Sequence, residues 1–315
     1  MFLMLLSLLV FPVEAGGDYI RWVDFDVSYA ALQRALDLDI ASRDTEQPVS
    51  WIDLLALSAA WSGGGKFQPK TVDKALAALT AGRSLEEQLG AQYRCFAYYQ
   101  EAYGAVLGGL VGAYAIATTD EYGNQVWTPA YGLKAFSPIA EGYWYNHYDD
   151  FGAGRSYGFR RRHLGNDLMG SLGTPIVAVE SGTVEALGWN QYGGWRIGIR
   201  SDDARRYYYY AHLRKDEPYV KGLQEGSRVE AGQVIGFMGR TGYSTKENTN
   251  NIETVHLHFG LQLIFDESQK ECDSEIWVDV YNLVRLLSRH RSSVWKNPAT
   301  GLWERVYPYR DLDAG

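Results

Sequence analysis

Hydrophobic positions along the chain follow two different periods, and the period changes near residue 118. Over residues 18–117, apolar side chains recur at helical spacing, as in the run WIDLLALSAAW. Ser50 and Asp53 stand three residues apart at the start of this run, which is the spacing of a helix-capping pair. We therefore predict a helical N-terminal domain over residues 16–117, whose motifs indicate no particular role.

A second capping pair, Ser84 with Glu87, opens the long apolar run LEEQLGAQYRCFAYYQEAYGAVLGGLVGAY. Gly104, Gly108 and Gly112 lie four residues apart within it, so a continuous helix would place them on one face. The apolar part of the run is too short for a membrane span. It predicts a soluble helix that packs closely against another helix.

The rest of the chain is predicted to be mostly β-structure. Residues 118–155 have no period and are rich in Gly, Pro, Tyr and Trp, which indicates an aromatic linker packed on its neighbour. Residues 156–267 alternate β-rich runs with glycine turns, a pattern typical of antiparallel strands. Residues 268–315 predict a C-terminal helix and a surface tail. The apolar face of that helix comprises Val280, Leu283, Val284 and Leu287. The fold class is therefore α+β.

The start of the chain and its two cysteines bear on the compartment. Residues 1–15 form a short apolar segment that leads into small residues, as a signal peptide does, although the usual basic start is missing. The segment predicts export to the cell envelope or beyond. Any membrane contact would be made through it alone, since at this length it does not span a bilayer. In an exported protein Cys95 and Cys272 could form one disulfide, and their spacing leaves the pairing open.

Charge and aromatic content sharpen this picture. The formal charge of -8 and the pI near 5.3 argue against a nucleic acid as partner. The acidity lies in residues 1–154, where 9 Lys and Arg face 18 Asp and Glu, whereas residues 155–270 hold 15 against 13. Many of the 23 Tyr and 10 Trp lie between Tyr143 and Tyr243, where flat amphipathic rings can wall a peptide-binding groove.

Four of the six histidines lie in the predicted sheet domain, in three short motifs. His163 and Asp167 are four residues apart around Gly165, so a tight turn would bring an imidazole and a carboxylate together. His256 and His258 stand at positions i and i+2 of a β-rich run, which places both imidazoles on one face of a strand. Taken singly, each motif is equally compatible with a solvated turn or a structural histidine.

The third motif is YYYYAH, in which strand alternation would place Tyr208, Tyr210 and His212 on one face. A catalytic zinc site usually has three protein ligands and a bound water. The first motif and one histidine of the HLH run could supply three ligands, which leaves two imidazoles for proton transfer. The three motifs together therefore favour a zinc-dependent hydrolase.

These motifs and their order resemble the lysostaphin-type zinc endopeptidases, which cleave the peptides of peptidoglycan. The resemblance covers about residues 157–265 and rests on HLGNDLMG, GTPIVAVESGTVEALG, YYAHL, VEAGQVIGFMGRTGYST and HLHFGL. It implies a zinc endopeptidase that acts on peptidoglycan stem peptides or cross-bridges, outside the cytoplasmic membrane.

The resemblance also implies a role for each residue. Zinc would be bound by His163, Asp167 and His258. His212 and His256 would be the unligated catalytic pair, of which one removes a proton from the zinc-bound water and the other steadies the oxyanion. Tyr157, upstream of the first ligand, would assist the oxyanion. One departure from the family pattern is the insertion KENTNNIETV before the HLH run, which is predicted to alter one wall of the groove.

Several alternatives stay open at this point. A non-enzymatic cell-envelope binding or scaffold protein could use the same groove, since the family contains members without metal ligands. The hairpin pattern also resembles a biotinyl or lipoyl carrier, but no lysine stands in the hairpin. The acidic helical domain could position the enzyme, bind a partner or cover the groove as a lid, in contact with the basic run Arg160-Arg161-Arg162.

Overall fold

The computed structural model describes most of the chain. The described residues are 19–64, 66–82, 84–270 and 274–313. The apolar segment 1–15 and Cys272 lie outside them, so the signal peptide and the disulfide stay predictions. None of the helices in the described part of the chain combines the length and the apolar character that a bilayer crossing requires.

Among the described residues, five α-helices precede the main sheet and one follows it. They are α1 (Tyr29–Ser42), α2 (Trp51–Ser62), α3 (Pro69–Leu79), α4 (Leu85–Leu89), α5 (Tyr93–Leu107) and α6 (Tyr281–Leu287). The side chains of Ser28, Ser50 and Ser84 each accept a hydrogen bond from a backbone N–H in the first turn of a helix. The predicted caps at Ser50 and Ser84 are therefore confirmed.

All strands of the described chain lie after residue 110. They are β1 (Val111–Thr119), β2 (Gln125–Leu133), β3 (Tyr145–His147), β4 (Gly154–Tyr157), β5 (Phe159–Arg162), β6 (Asn166–Gly170), β7 (Pro175–Val177), β8 (Gly182–Asn190), β9 (Gly194–Ser201), β10 (Arg206–Ala211), β11 (Arg228–Val229), β12 (Val234–Phe237), β13 (His256–Leu263), β14 (Ile276–Val278), β15 (Val294–Lys296), β16 (Trp303–Arg305) and β17 (Tyr309–Asp311).

One large antiparallel sheet dominates the fold. Its order is β11-β8-β9-β10-β13-β6-β3, and β14 pairs with the far end of β13. A second sheet has the order β17-β1-β2, and β12–β7, β15–β16 and β4–β5 form two-stranded ribbons. Neighbouring strands of the large sheet run antiparallel, so the mainly antiparallel β-structure predicted for this part of the chain is confirmed.

The long helix predicted to extend to residue 117 is wrong. It breaks at Gly90, whose φ is 52°, and α5 ends at Gly108. Gly112 lies in β1, which pairs with β2 along its whole length, so the three glycines share no helix face. Strand pairing prevails because residues 111–119 gain a hydrogen-bonding partner that lies farther along the chain, and local spacing does not report such a partner.

The linker and the C-terminal segment also differ from their predictions. Residues 118–155 contain β2 and β3, and β3 forms an edge of the main sheet against β6. The C-terminal helix is limited to α6 because β14 and β15 flank it, although its predicted apolar face is buried. The tail lies at the surface but is not irregular: β17 pairs with β1, and Tyr309 is 3% exposed, whereas most of its neighbours are exposed. In both segments the observed structure results from pairing with strands that are distant in the sequence.

The helices and the main sheet share one hydrophobic core. At their junction the buried Arg206 donates through Nε to Glu180 at 2.8 Å and through Nη1 to the carbonyl oxygen of Ala105 at 3.0 Å. Tyr208 donates to the same carboxylate at 2.6 Å. Burial alone would lower the pKa of Arg206, but the Glu180 carboxylate raises it above its usual value, so the ion pair stays charged.

We expect Glu180→Gln to lower the free energy of unfolding by about 3 kcal/mol, because the buried Arg206 charge would keep only the partly exposed Asp203 as partner. The matched control is Asp202→Asn, which removes the exposed partner of Arg228 and should cost less than about 1 kcal/mol. Urea unfolding of both variants measures the difference. Equal losses would show that the buried pair contributes no more than a surface pair.

Candidate metal centre

Three neighbouring strands bring the predicted histidine motifs together. His258 on β13 pairs with Asp167 on β6 and with Ala211 at the end of β10. His163 lies in the turn before β6, and His212 directly follows β10. One cavity of about 200 Å³ is lined by the side chains of His163, Asp167, His212, His256 and His258. The sheet register thus gathers five side chains that are spread over 96 residues of sequence.

Three side chains offer one ligand atom each to a common point. The Nε2 atom of His163 lies 3.1 Å from Asp167 Oδ1 and 2.7 Å from His258 Nδ1, and the last two atoms are 3.4 Å apart. Ligands of a tetrahedral zinc ion lie at ~2.0–2.1 Å from it and hence roughly 3.4 Å from one another, so the three residues fit such an ion. Asp167 Oδ1 is buried and faces the ring nitrogens of both histidines, as an oxygen that coordinates a cation together with them would.

Burial and neighbouring charges set the protonation of this cluster. Burial lowers the pKa of His163, but hydrogen bonds to the carboxylates of Asp150 and Asp167 outweigh it and raise the pKa to about 9. Burial raises the pKa of Asp167, yet hydrogen bonds from His163 and His258 hold it far below its usual range. The cluster therefore pairs a cationic imidazole with a carboxylate, and a bound divalent cation would displace that proton.

Asp150 and Arg155 support the ligand cluster, and no sequence motif pointed to either of them. The Nδ1 atom of His163 faces the carbonyl oxygen of Asp150 at 3.1 Å and its carboxylate at 3.2 Å. Because these oxygens accept, Nδ1 carries the proton and Nε2 is the coordinating nitrogen of the neutral ring. Arg155 donates to Asp150 at 2.5 Å and to Asp167 at 3.2 Å. These contacts orient two of the three candidate ligands.

The two remaining histidines each have one ring nitrogen fixed by a backbone oxygen. His212 Nδ1 donates to Thr241 and His256 Nδ1 donates to Thr254, both at 2.9 Å, which leaves Nε2 as the acceptor of each neutral ring. The two ring centres are 4.7 Å apart. Burial and the neighbouring imidazoles of His256 and His258 hold the pKa of His212 well below its usual value, so this ring is neutral at pH 7.

His212 reaches the cavity through a backbone conformation that strand alternation does not predict. Tyr208 and Tyr210 point into the core, where both contact the ring of Phe259. Continued alternation would place His212 beside them, so the predicted shared face is wrong. The φ of His212 is 61°, in the left-handed region, and this turn brings its side chain to the cavity that Tyr209 also lines.

Strand β13 follows its predicted alternation. Leu257 and Phe259 are buried in the core, whereas His256 and His258 line the cavity. Gly165 passes so close to His258 that a Cβ added there would lie 2.8 Å from Cε1 of the ring. A glycine is therefore required at this position for the close approach of β13.

Tyrosine side chains form one wall of the cavity. Tyr192, Tyr209 and Tyr243 line it, whereas Tyr157 lies outside the lining and stacks on Tyr243 with ring centres 5.1 Å apart. The ring centre of Tyr243 is 6.0 Å from that of His212. Tyr243 rather than Tyr157 therefore borders the unligated histidines, and the oxyanion role of Tyr157 stays a prediction.

The insertion KENTNNIETV shapes the same wall, as predicted. Ile252 lines the cavity, and Asn251 donates to the carbonyl oxygen of Tyr243 at 2.6 Å. Thr254, also in the insertion, holds the ring of His256. All lining residues fall between Arg155 and His258, so no residue of helices α1 to α5 lines the cavity.

Comparison with known proteins assigns a family to this part of the chain. Residues 161–271 match the model of peptidase family M23. They form an M23 peptidase domain. The domain contains the three candidate ligands and the two unligated histidines, whereas Asp150 and Arg155 precede it.

Two curated relatives share this M23 domain. The L-Ala–D-Glu endopeptidase of Bacillus subtilis (strain 168) is 41% identical over 117 residues, which are 37% of this chain and 34% of that protein. Lysostaphin of Staphylococcus simulans is 39% identical over 98 residues, which are 31% of this chain and 17% of that protein. The chain thus spans a third or less of the length of these relatives. The solved structure of the lytM protein of Ruminococcus gnavus ATCC 29149 covers 83% of this chain and 97% of its own, with 24% identity and a TM-score of 0.49.

Proposed function

We propose that this protein is a zinc-dependent endopeptidase that hydrolyses peptide bonds of peptidoglycan stem peptides or cross-bridges, outside the cytoplasmic membrane. The observation that carries the proposal is the convergence of ligand atoms from His163, Asp167 and His258 within 4.8 Å of one another, beside two further imidazoles. The M23 match and the endopeptidase activity named for the Bacillus subtilis relative support peptide-bond hydrolysis.

Three side chains would hold the zinc ion: His163 through Nε2, Asp167 through Oδ1 and His258 through Nδ1. When bound, zinc supplies a Lewis acid and lowers the pKa of a coordinated water. His212 accepts a proton at Nε2, because its Nδ1 donates to a backbone oxygen and its ring is neutral at pH 7. His256 Nδ1 faces the carbonyl oxygen of Thr254, so its Nε2 is directed into the same cavity, and His256 would be the second imidazole, which steadies the developing oxyanion.

Metal removal tests the proposal on the full chain. We expect the purified protein to hold about one zinc ion per molecule and to release peptide fragments from purified peptidoglycan. A chelator should abolish the release, and added zinc should restore it. Mass spectrometry of fragments from several peptidoglycan types identifies the bond cleaved. Zinc binding without any fragment release would instead favour a non-enzymatic envelope-binding protein.

A further inference from the structure

We propose that Arg161 binds a carboxylate of the substrate, so that the cavity selects anionic stem peptides over neutral glycine cross-bridges. This inference rests on the proposed function and names the substrate class for the same site. It is carried by the position of the Arg161 guanidinium in the cavity, by its partners and by its distance from the unligated histidines.

Arg161 lies on the inner face of the β4–β5 hairpin. It stands directly opposite Arg155 in the hairpin register, so the two side chains share a face, whereas Arg160 and Arg162 alternate to the other face. The cavity lining accordingly includes Arg155 and Arg161 but neither of the other two arginines. Of the basic run RRR, one guanidinium thus faces the metal centre.

Arg161 differs from Arg155 in its partners. Arg155 is neutralised by the carboxylates of Asp150 and Asp167. Arg161 has no carboxylate partner among the described ion pairs: it donates from Nη2 to the hydroxyl oxygen of Tyr243 at 2.6 Å, and its Nε is buried without an acceptor. Buried donors are normally hydrogen-bonded. An anionic ligand in the cavity would accept a hydrogen bond from the Arg161 guanidinium and offset its charge.

Two tyrosine rings hold this guanidinium close to the unligated histidines. Its Cζ lies 5.4 Å from the ring centre of Tyr243 and 5.7 Å from that of Tyr192. Tyr243 in turn borders His212, with ring centres 6.0 Å apart. Because an extended residue spans about 3.3–3.6 Å, a carboxylate bound by Arg161 would lie within about three residues of the scissile bond. A planar guanidinium held in this way binds a carboxylate through two parallel hydrogen bonds.

Stem peptides and glycine cross-bridges differ in the charge that they carry near the scissile bond. A γ-linked glutamate in a stem peptide keeps a free α-carboxylate, and a stem peptide can end in a second carboxylate. A glycine bridge offers only neutral peptide groups near its scissile bonds. The one carboxylate in the cavity lining, Asp167, is a candidate zinc ligand and also pairs with Arg155, so Arg161 adds a positive charge that no lining carboxylate offsets. This charge favours the stem peptides.

Matched peptides test the inference on the zinc-loaded full chain. Each pair has one sequence, with either the glutamate α-carboxylate or the C-terminal carboxylate present as the acid or as the amide. We expect kcat/KM to be about 10- to 100-fold higher for the acid in one of the two pairs, and that pair identifies which carboxylate is bound. Arg161→Gln should bring this ratio close to one, whereas Arg161→Lys should retain part of it. Arg160→Gln removes the same charge from the outer face and should retain the full ratio.

The outcomes distinguish this inference from the proposed function. Equal cleavage of acid and amide by the unmodified protein, or an unchanged ratio in Arg161→Gln, would overturn the role of Arg161 and leave the endopeptidase proposal standing. A merely structural role would lower both rates equally and keep the ratio, which overturns the inference as well. If the zinc-loaded protein cleaves none of the peptides and no peptidoglycan, the proposed function itself fails.

Discussion

His258→Ala is expected to lose bound zinc and peptidoglycan hydrolysis together, with the hydrolysis rate falling by at least about 10³-fold. His258 is one of the three candidate ligands among the described residues, and its Nδ1 lies within 3.4 Å of both other candidate ligand atoms. Two ligands do not complete a catalytic zinc site. Metal analysis of the purified variant and mass spectrometry of released fragments measure the two losses, and circular dichroism checks that the fold persists.

Two further variants are compared with His258→Ala. One should leave zinc binding unchanged, and the other should weaken it only in part. His290→Ala removes a half-buried imidazole that donates to the carbonyl oxygen of Ala135 and stacks on Phe136. It does not line the cavity, so zinc content and hydrolysis should both persist. Asp150→Asn weakens the support behind His163 and should lower zinc affinity by about 10- to 100-fold without abolishing binding. A His258→Ala protein that retains zinc and activity would contradict the ligand assignment.

His212→Asn is expected to keep its zinc but to lose turnover, with kcat falling about 10²- to 10⁴-fold. The variant removes the neutral imidazole whose Nε2 accepts a proton, and it leaves all three candidate ligands in place. Asparagine is chosen over alanine because residue 212 has a left-handed φ of 61°, which asparagine tolerates. Steady-state kinetics on a defined peptide, with metal analysis of the same sample, measure both quantities.

The pair of variants separates two roles that a single loss of activity would confuse. His258→Ala should lose metal and rate, whereas His212→Asn should lose rate alone. If His212→Asn also lost its zinc, His212 would belong to the ligand set and another group would have to take the proton. Unchanged kcat with unchanged zinc would remove His212 from the mechanism altogether.

Some features of the site follow from the spacing of residues within a single strand or turn. These features could be predicted from the sequence. The i, i+2 spacing of His256 and His258 places both rings on one face of β13, and the structure shows this face on the cavity. The spacing of His163 and Asp167 around Gly165 likewise indicates a turn that brings the two side chains together, 3.1 Å apart between Nε2 and Oδ1. Such patterns are local, because backbone geometry alone sets where neighbouring side chains point.

Other site residues depend on contacts that no local pattern reports. Asp150 lies 13 residues before His163 in an aromatic stretch without a period, and only the turn leading into β4 and β5 brings it behind the imidazole. Tyr243 borders His212 because two separate loops meet at the end of the sheet. Arg161 could be distinguished from its two neighbours only once the hairpin register was known.

The candidate site could be inferred from the sequence alone: a histidine–aspartate pair, an HLH strand and a further histidine, together with the antiparallel character of the sheet that carries them. Only the folded chain reveals where the helices end, which residues orient the candidate ligands, and how His212 turns into the cavity. The division has one physical reason. Periodicity and spacing record backbone geometry within one element, whereas strand pairing, burial and unpaired charge arise between elements that are far apart in the chain.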